Sequence, residues 1–215
     1  MSVHPTGGSR RTALNSLRRF LQRPAVRERC DLCSAPLAEQ HAHLLELTSR
    51  QIVCACDPCA ILFDAQGAGK YRRAPRDIRA LADFRLSDEI WQALDLPINL
   101  AFFLHNSTTG RVSAFYPSPG GATEALPPPD AWQMLVQDNP SLNDLKSDVE
   151  ALLVNRLSSP PAYYRVGIDK CYELVGLIRS HWRGLSGGKA ILQEIDRFFT
   201  TLKERAHPVG GTPHA

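Results

Sequence analysis

The hydrophobic positions of this chain fall into three kinds of pattern. The most apolar stretch, Ile98–His105, predicts a buried strand. After a turn at Asn106–Gly110, residues Arg111–Pro117 alternate, with Val112, Ala114 and Tyr116 on one face, so the two segments predict a β-hairpin. Val149–Val154 and Tyr163–Val166 predict a third and fourth strand across a proline-containing turn at Ser158–Pro161. Helical periodicity appears further on. Cys171, Leu174, Val175, Ile178 and Trp182 fall at i, i+3, i+4, i+7 and i+11, with Asp169 as the expected cap and Gly184 as the stop. A last helix from Gly188 to Arg205 carries Ile191, Ile195, Phe198, Phe199 and Leu202 on one side. Shorter helices are expected after Ser87, burying Ile90, Trp91 and Leu94, and over Asp130–Gln137, burying Trp132, Leu135 and Val136. Asp77–Ala82 is expected to form a turn or two of helix, and Ser118–Pro129, rich in proline and glycine, a loop. The order ββαββαα predicts an α+β fold with one small antiparallel sheet covered by helices.

Upstream the pattern is shorter and more basic. Leu14, Leu17, Phe20 and Leu21 recur at helical spacing up to Pro24, and residues 1–12 have the composition of a disordered arm. The net charge of the whole chain is +3, yet residues 1–29 carry seven arginines against Glu28, so the arm is +6 and the remainder −3. A third, weaker function class, nucleic-acid binding through the arm and Lys70–Arg79, rests on that asymmetry. The near-neutral body argues against it, and nucleic acid is not the expected partner. Ser9-Arg10-Arg11-Thr12-Ala13-Leu14 is similar to a twin-arginine export signal, but the apolar segment that should follow contains charges. No apolar run approaches the ~20 residues of a membrane span, so the expectation is a cytoplasmic protein.

Candidate chemistry is concentrated in Cys30–Phe63. Five of the six cysteines lie there, as Cys30-Asp31-Leu32-Cys33 and Cys54-Ala55-Cys56-Asp57-Pro58-Cys59, with His41 and His43 between. In a reducing compartment, clustered thiols indicate a metal rather than disulfides. Two-residue spacers let both thiolates of a tight turn meet one ion, so Cys30, Cys33, Cys56 and Cys59 are the expected ligands of a structural Zn²⁺. Cys54 is a rival ligand, because alternation in an extended segment would turn it to the same side as Cys56. His41 and His43 are further substitutes. Iron, as a single ion or an iron–sulfur cluster, is the alternative cofactor, although the spacing does not match ferredoxin patterns. A hairpin of Leu44–Leu47 and Gln51–Ala55, followed by a short helix with Asp57 as N-cap and Pro58 at N1, gives a treble-clef or zinc-ribbon-like layout. The expected division is therefore an arm over 1–29, a cysteine-rich module over 30–65, a connector with short helices over 66–97, an α+β domain over 98–206 and a flexible tail over 207–215.

Other polar residues carry less. Cys171 sits on an apolar helix stripe and is expected in the core. His105, Glu124 and His181 have no partner placed near them by sequence, so no catalytic set can be assembled. Gly120-Gly121 and Gly187-Gly188 fit no phosphate-binding fingerprint. Lys70-Tyr71-Arg72-Arg73 can be a phosphate patch or merely a basic connector.

Several stretches taken in order carry a resemblance: Arg29–Cys33, His43-Leu44, Cys54–Cys59, Ala101-Phe102-Phe103, Phe115–Pro119, Ala151–Arg156, Cys171–Arg179 and Trp182-Arg183-Gly184. Together they resemble an uncharacterised actinobacterial family encoded near uptake nickel–iron hydrogenases and their accessory genes. That resemblance implies an accessory or maturation role and a protein partner, such as a hydrogenase or one of its maturation proteins, and assigns no catalytic residue. Two function classes follow. One is a zinc-stabilised, non-enzymatic factor that binds a protein partner. The other is an iron or iron–sulfur protein for redox or metal transfer, drawing on Cys54, His41 and His43.

Overall fold

The computed structural model describes residues 28–64, 69–182 and 188–209. A hairpin of β1 (Ala42–Glu46) and β2 (Ile52–Ala55) leads into helix α1 (Asp57–Phe63), then strands β3 (Tyr71–Arg73) and β4 (Arg79–Leu81) and helix α2 (Asp88–Ala93). Strands β5 (Leu100–Asn106), β6 (Arg111–Ser118) and β7 (Gly121–Ala125) form a meander, and helix α3 (Pro129–Asp138) runs into a 3-10 turn. Strands β8 (Glu150–Asn155) and β9 (Ala162–Gly167) precede α4 (Ile168–His181), α5 (Gly188–Arg205) and β10 (His207–Val209). The described residues are thus α+β, and their named strands pair antiparallel except where β10 joins β4 in parallel.

The main sheet is larger than expected. It has seven strands in the order β10-β4-β9-β8-β5-β6-β7, where the periodicity predicts four. The three additional strands are short and come from segments whose composition does not favour strands. Arg79–Leu81, expected as helix, instead extends the sheet beside β9 through Arg79↔Arg165 and Ala80↔Tyr164. Residues 207–209, expected in the tail, pair with β4. The expected loop over Ser118–Pro129 folds back at Gly121, whose φ of +121° is open to glycine, and β7 then pairs along β6. In each case an unpaired edge supplies backbone partners that local propensity does not anticipate.

Helices cover both faces. Alternate residues of the central strands divide cleanly, as a two-residue period requires. Leu100, Phe102, Leu104, Ala151, Leu153 and Val166 pack beneath α4 and α5, meeting Leu174, Ile178, Ile195 and Phe199. Ala101, Phe103, Leu152 and Val154 pack on the other side against Trp91, Leu94 and Leu135 of the α2–α3 layer. The near-continuous apolar run of β5 is therefore a strand buried on two sides. Cys171 lies in the first of these cores, wholly buried, where desolvation raises its thiol well above the ordinary range.

A second, three-stranded sheet, ordered β2-β1-β3, belongs to the cysteine-rich segment. The expected hairpin gains β3 from the connector, through Leu44↔Arg73 and Leu45↔Arg72. A buried carboxylate attaches this sheet to the main one. Asp148, with φ of +68°, accepts from Arg72 at 2.6 Å, from Arg50 at 3.4 Å and from the Ser107 N–H at 3.0 Å. Among the described residues, no helix is long and apolar enough to cross a membrane. The expected helix over Leu14–Arg23, the disordered arm, the arginine pair and the Gly184 stop lie outside the described residues.

Candidate metal centre

Two tight turns build the centre. In the first, the Cys30 N–H donates to Ala35 O at 2.8 Å and the Ser34 N–H donates to Cys30 O at 2.7 Å, with Ser34 at φ of +63°. This folds Cys30-Asp31-Leu32-Cys33 so that both sulfurs face one side. The second turn is the start of α1. Cys56 is its N-cap and Cys59 lies in its first turn; the cap is one residue earlier than expected, and Asp57 and Pro58 are the first two helical residues. The strand ladder stops at Ala55, paired with Ala42, and Cys56 departs from it into the helix.

The Sγ atoms of Cys30, Cys33, Cys56 and Cys59 all lie within 4.8 Å of one another, and Cys33 and Cys56 are 3.6 Å apart. A tetrahedron with metal–sulfur bonds of ~2.3 Å has edges of roughly 3.8 Å, so the four sulfurs are near the size that a zinc or iron ion requires. Cys30 and Cys59 are buried against Ala42, Leu44, Ala55 and Ala60, whereas Cys33 is exposed.

The electrostatics of the sulfurs lead to the same conclusion. Burial works to raise the Cys30 thiol, but the backbone N–H groups of Cys56, Leu32 and Cys33 outweigh it and hold the value to about 6. Cys59 is pushed up to about 12, first by the Cys56 sulfur and then by burial and the other two thiols. For Cys33 the Ala35 N–H, and after it the Cys59 sulfur, lower the value, but the Cys30 and Cys56 sulfurs with burial outweigh them and raise it. Without a cation this pocket favours a thiolate at Cys30 and opposes ionisation at Cys33 and Cys59. A divalent ion removes the repulsion and lets all four ionise, so the cluster is a site that can bind a metal ion.

Cys54 is not among these four. It groups instead with His41 and His43, one ligand atom of each lying within 4.8 Å of the others. The expectation that Cys54 faces Cys56 fails because the extended segment ends between them. None of the three substitutes joins the four-sulfur cluster. The structure also separates the remaining candidates. His105 Nδ1 is 3.0 Å from Ser147 Oγ, His181 bonds within its own helix turn to Leu177 O at 2.9 Å, and Glu124 lies on β7. Lys70 pairs with Glu46, Arg72 with Asp148, and both Arg73 and Arg76 with Asp57, so the basic connector spends its charge on internal carboxylates.

One residue escaped sequence reasoning. Asp169, expected to cap α4, leaves that cap to Gly167 and directs its carboxylate at His43, with Nδ1 and Oδ2 3.0 Å apart. The two are 126 positions apart, and no local pattern connects them.

A family model matches residues 29–206, from the residue before the first cysteine to the residue after α5, and is described as a family of unknown function, DUF5947. The chain belongs to this family. No curated protein and no solved structure matches it. The DUF5947 span contains all six cysteines, both histidines of the second group, the small sheet and every strand of the main sheet except β10, and the basic arm precedes it.

Proposed function

We propose that this DUF5947 chain is a zinc-stabilised accessory protein whose four-thiolate module presents a surface to a protein partner. The observation that carries the proposal is the four-sulfur cluster at metal-binding distances. Four cysteines complete a tetrahedron, leaving no position for substrate, so the ion's role is structural. The order of turn, hairpin and helix, with the last two ligands at the start of α1, is the treble-clef layout. Its core is too small to fold unaided, and a structural zinc contributes about 10 kcal/mol or more. The partner-binding part rests on α1. Its cysteine side is buried, while Ile61 and Leu62 are 69% and 74% exposed on the other. Apolar side chains held outward by a metal-fixed helix suit an apolar protein surface.

The resemblance to a family encoded beside nickel–iron hydrogenase genes directs the search for that partner to hydrogenases and their maturation proteins. A cytoplasmic location accords with free, clustered thiols. The alternative occupant is iron, since four thiolates also hold a single iron or a two-iron cluster. Metal analysis of protein purified without oxygen distinguishes them: stoichiometric zinc and a colourless sample support the proposal, and a coloured, redox-active one refutes it. Alanine at Cys30 and Cys59 is expected to abolish both module folding and partner capture. Retention of both by that variant would overturn the structural role.

A further inference from the structure

We propose that His41, His43 and Cys54 form a second metal site, distinct from the four-cysteine cluster and with an open coordination position, which takes a divalent first-row transition ion. His41 immediately precedes β1 and His43 lies within it, two residues on, so both rings leave the same face. Cys54 of β2 is the cross-strand partner of His43. The intervening Ala42 and Leu44 point the other way, into the four-cysteine module. The two clusters therefore occupy opposite faces of one hairpin, and the second faces the main body where α4 begins.

The hydrogen bonds fix the state of each imidazole. His41 Nδ1 is 3.0 Å from Ala38 O, and a carbonyl only accepts, so Nδ1 carries a proton and, in the neutral ring, Nε2 offers the lone pair. That Nε2 is buried without a partner, in a side chain only 6% exposed. An unpaired buried imidazole nitrogen is destabilising, and a ligand on it would remove that penalty. His43 donates from Nδ1 to Asp169 Oδ2, 3.0 Å away, which likewise leaves Nε2 free to coordinate. A carbonyl or carboxylate behind each histidine is the usual support of a metal ligand, fixing its tautomer and raising its basicity.

The remaining features fit the same occupant. Asp169 Oδ1 is buried with no hydrogen-bond partner. Its space exists only because residue 167 is glycine, since a Cβ there would lie 2.4 Å from Oδ1. Asp169 behind His43, Glu28 3.6 Å from His41 and Asp31 beside the Cys54 backbone make the surroundings of the three ligand atoms negative, which favours a cation. Two imidazoles and one thiolate select ions such as Zn²⁺ and Co²⁺ over Mg²⁺ and Ca²⁺, which prefer oxygen. Three protein ligands leave the fourth position for water or an exchangeable group.

The test is saturation of the reduced full chain with Co²⁺ and, separately, Zn²⁺ at neutral pH. Bound metal is counted, and cysteine alkylation by iodoacetamide is mapped by mass. Two equivalents are expected for the natural chain and one for Cys54→Ser and for His43→Gln, whose four-thiolate cobalt absorption stays unchanged. Asp169→Asn keeps the fold and weakens the second equivalent by about 10–100-fold. In the natural chain, added Zn²⁺ protects Cys54 from alkylation, a readout that needs no variant. Saturation at one equivalent with Cys54 still unprotected would overturn the site. Fast alkylation of Cys54 that requires His43 and ignores added Zn²⁺ would also overturn it, marking a thiol nucleophile instead.

Discussion

Removing the ion from the four-cysteine cluster should unfold the small sheet and leave the large one standing. The module's buried core consists of Cys30, Ala42, Leu44, Ala55, Cys59 and Ala60, so Leu44 is the one large aliphatic side chain fully buried in it, with Leu32, Leu37 and Val53 only partly buried against it. Full burial of a leucine contributes about 2 kcal/mol. A four-thiolate ion contributes about 10–16 kcal/mol at neutral pH, so the module's order depends on the metal and not on packing. Acid acts in the same direction as a chelator, because protons compete for each thiolate, and lowering the pH should release the ion. The assay is amide hydrogen exchange before and after chelation under reducing conditions. Amides of Ala42–Glu46 and Ile52–Ala55 are expected to lose protection, while those of Leu100–Asn106 and Glu150–Asn155, in the two-sided core, retain theirs. Unchanged protection in the small sheet after complete metal loss would refute the reasoning, as would simultaneous loss in both sheets.

Two further expectations concern the body. Arg165 is buried and held by Glu150 through Nε–H to Oε1 at 3.2 Å and Nη2–H to Oε2 at 2.9 Å, so Glu150→Ala strands its charge and should cost about 3–5 kcal/mol in urea denaturation; a loss below ~1 kcal/mol would contradict this. Gly167→Ala places a Cβ 2.5 Å from Pro75 O and 2.4 Å from Asp169 Oδ1, so a fall in thermal midpoint together with weaker binding of the second metal is expected, and an unchanged midpoint would show that the backbone yields there.

What the sequence disclosed depended on whether the determining contacts were local. The helix stripe of Cys171, Leu174, Val175 and Ile178 is buried as its period requires, and the paired two-residue spacers bring four sulfurs together. These are properties of a single turn or helix face. Arg79–Leu81, Gly121–Ala125 and His207–Val209 were illegible because their strands exist only where another edge needs partners. Cys54 was misplaced for a related reason. Alternation holds inside a strand, and the strand ends at Ala55, one residue short of the comparison with Cys56. Asp169 satisfies the composition of a helix cap, and only the approach of the first turn of α4 to His43 shows where its carboxylate is directed.

The two clusters are joined by backbone, and that junction gives their occupancy an order. Asp31, inside the first cysteine turn, accepts from the Cys54 N–H at 2.7 Å through Oδ2, and its own N–H donates to Cys54 O at 2.9 Å. Fixing Cys30 and Cys33 on an ion therefore fixes the peptide that aims Cys54. That coupling is reciprocal, but the second group has three ligand atoms against four and takes its other supports, Asp169 and Ala38, from outside the cysteine turns, so the four-thiolate ion binds more tightly and fills first. Filling should thus be hierarchical. Cys33→Ser, at the exposed sulfur of the four where a hydroxyl is tolerated, is expected to lose both equivalents, whereas Cys54→Ser loses one and keeps the small sheet protected from exchange. Metal counting with hydrogen exchange on the two variants decides it: a Cys33→Ser chain that still binds an ion through His41, His43 and Cys54 would show the second group to be preformed by the hairpin alone.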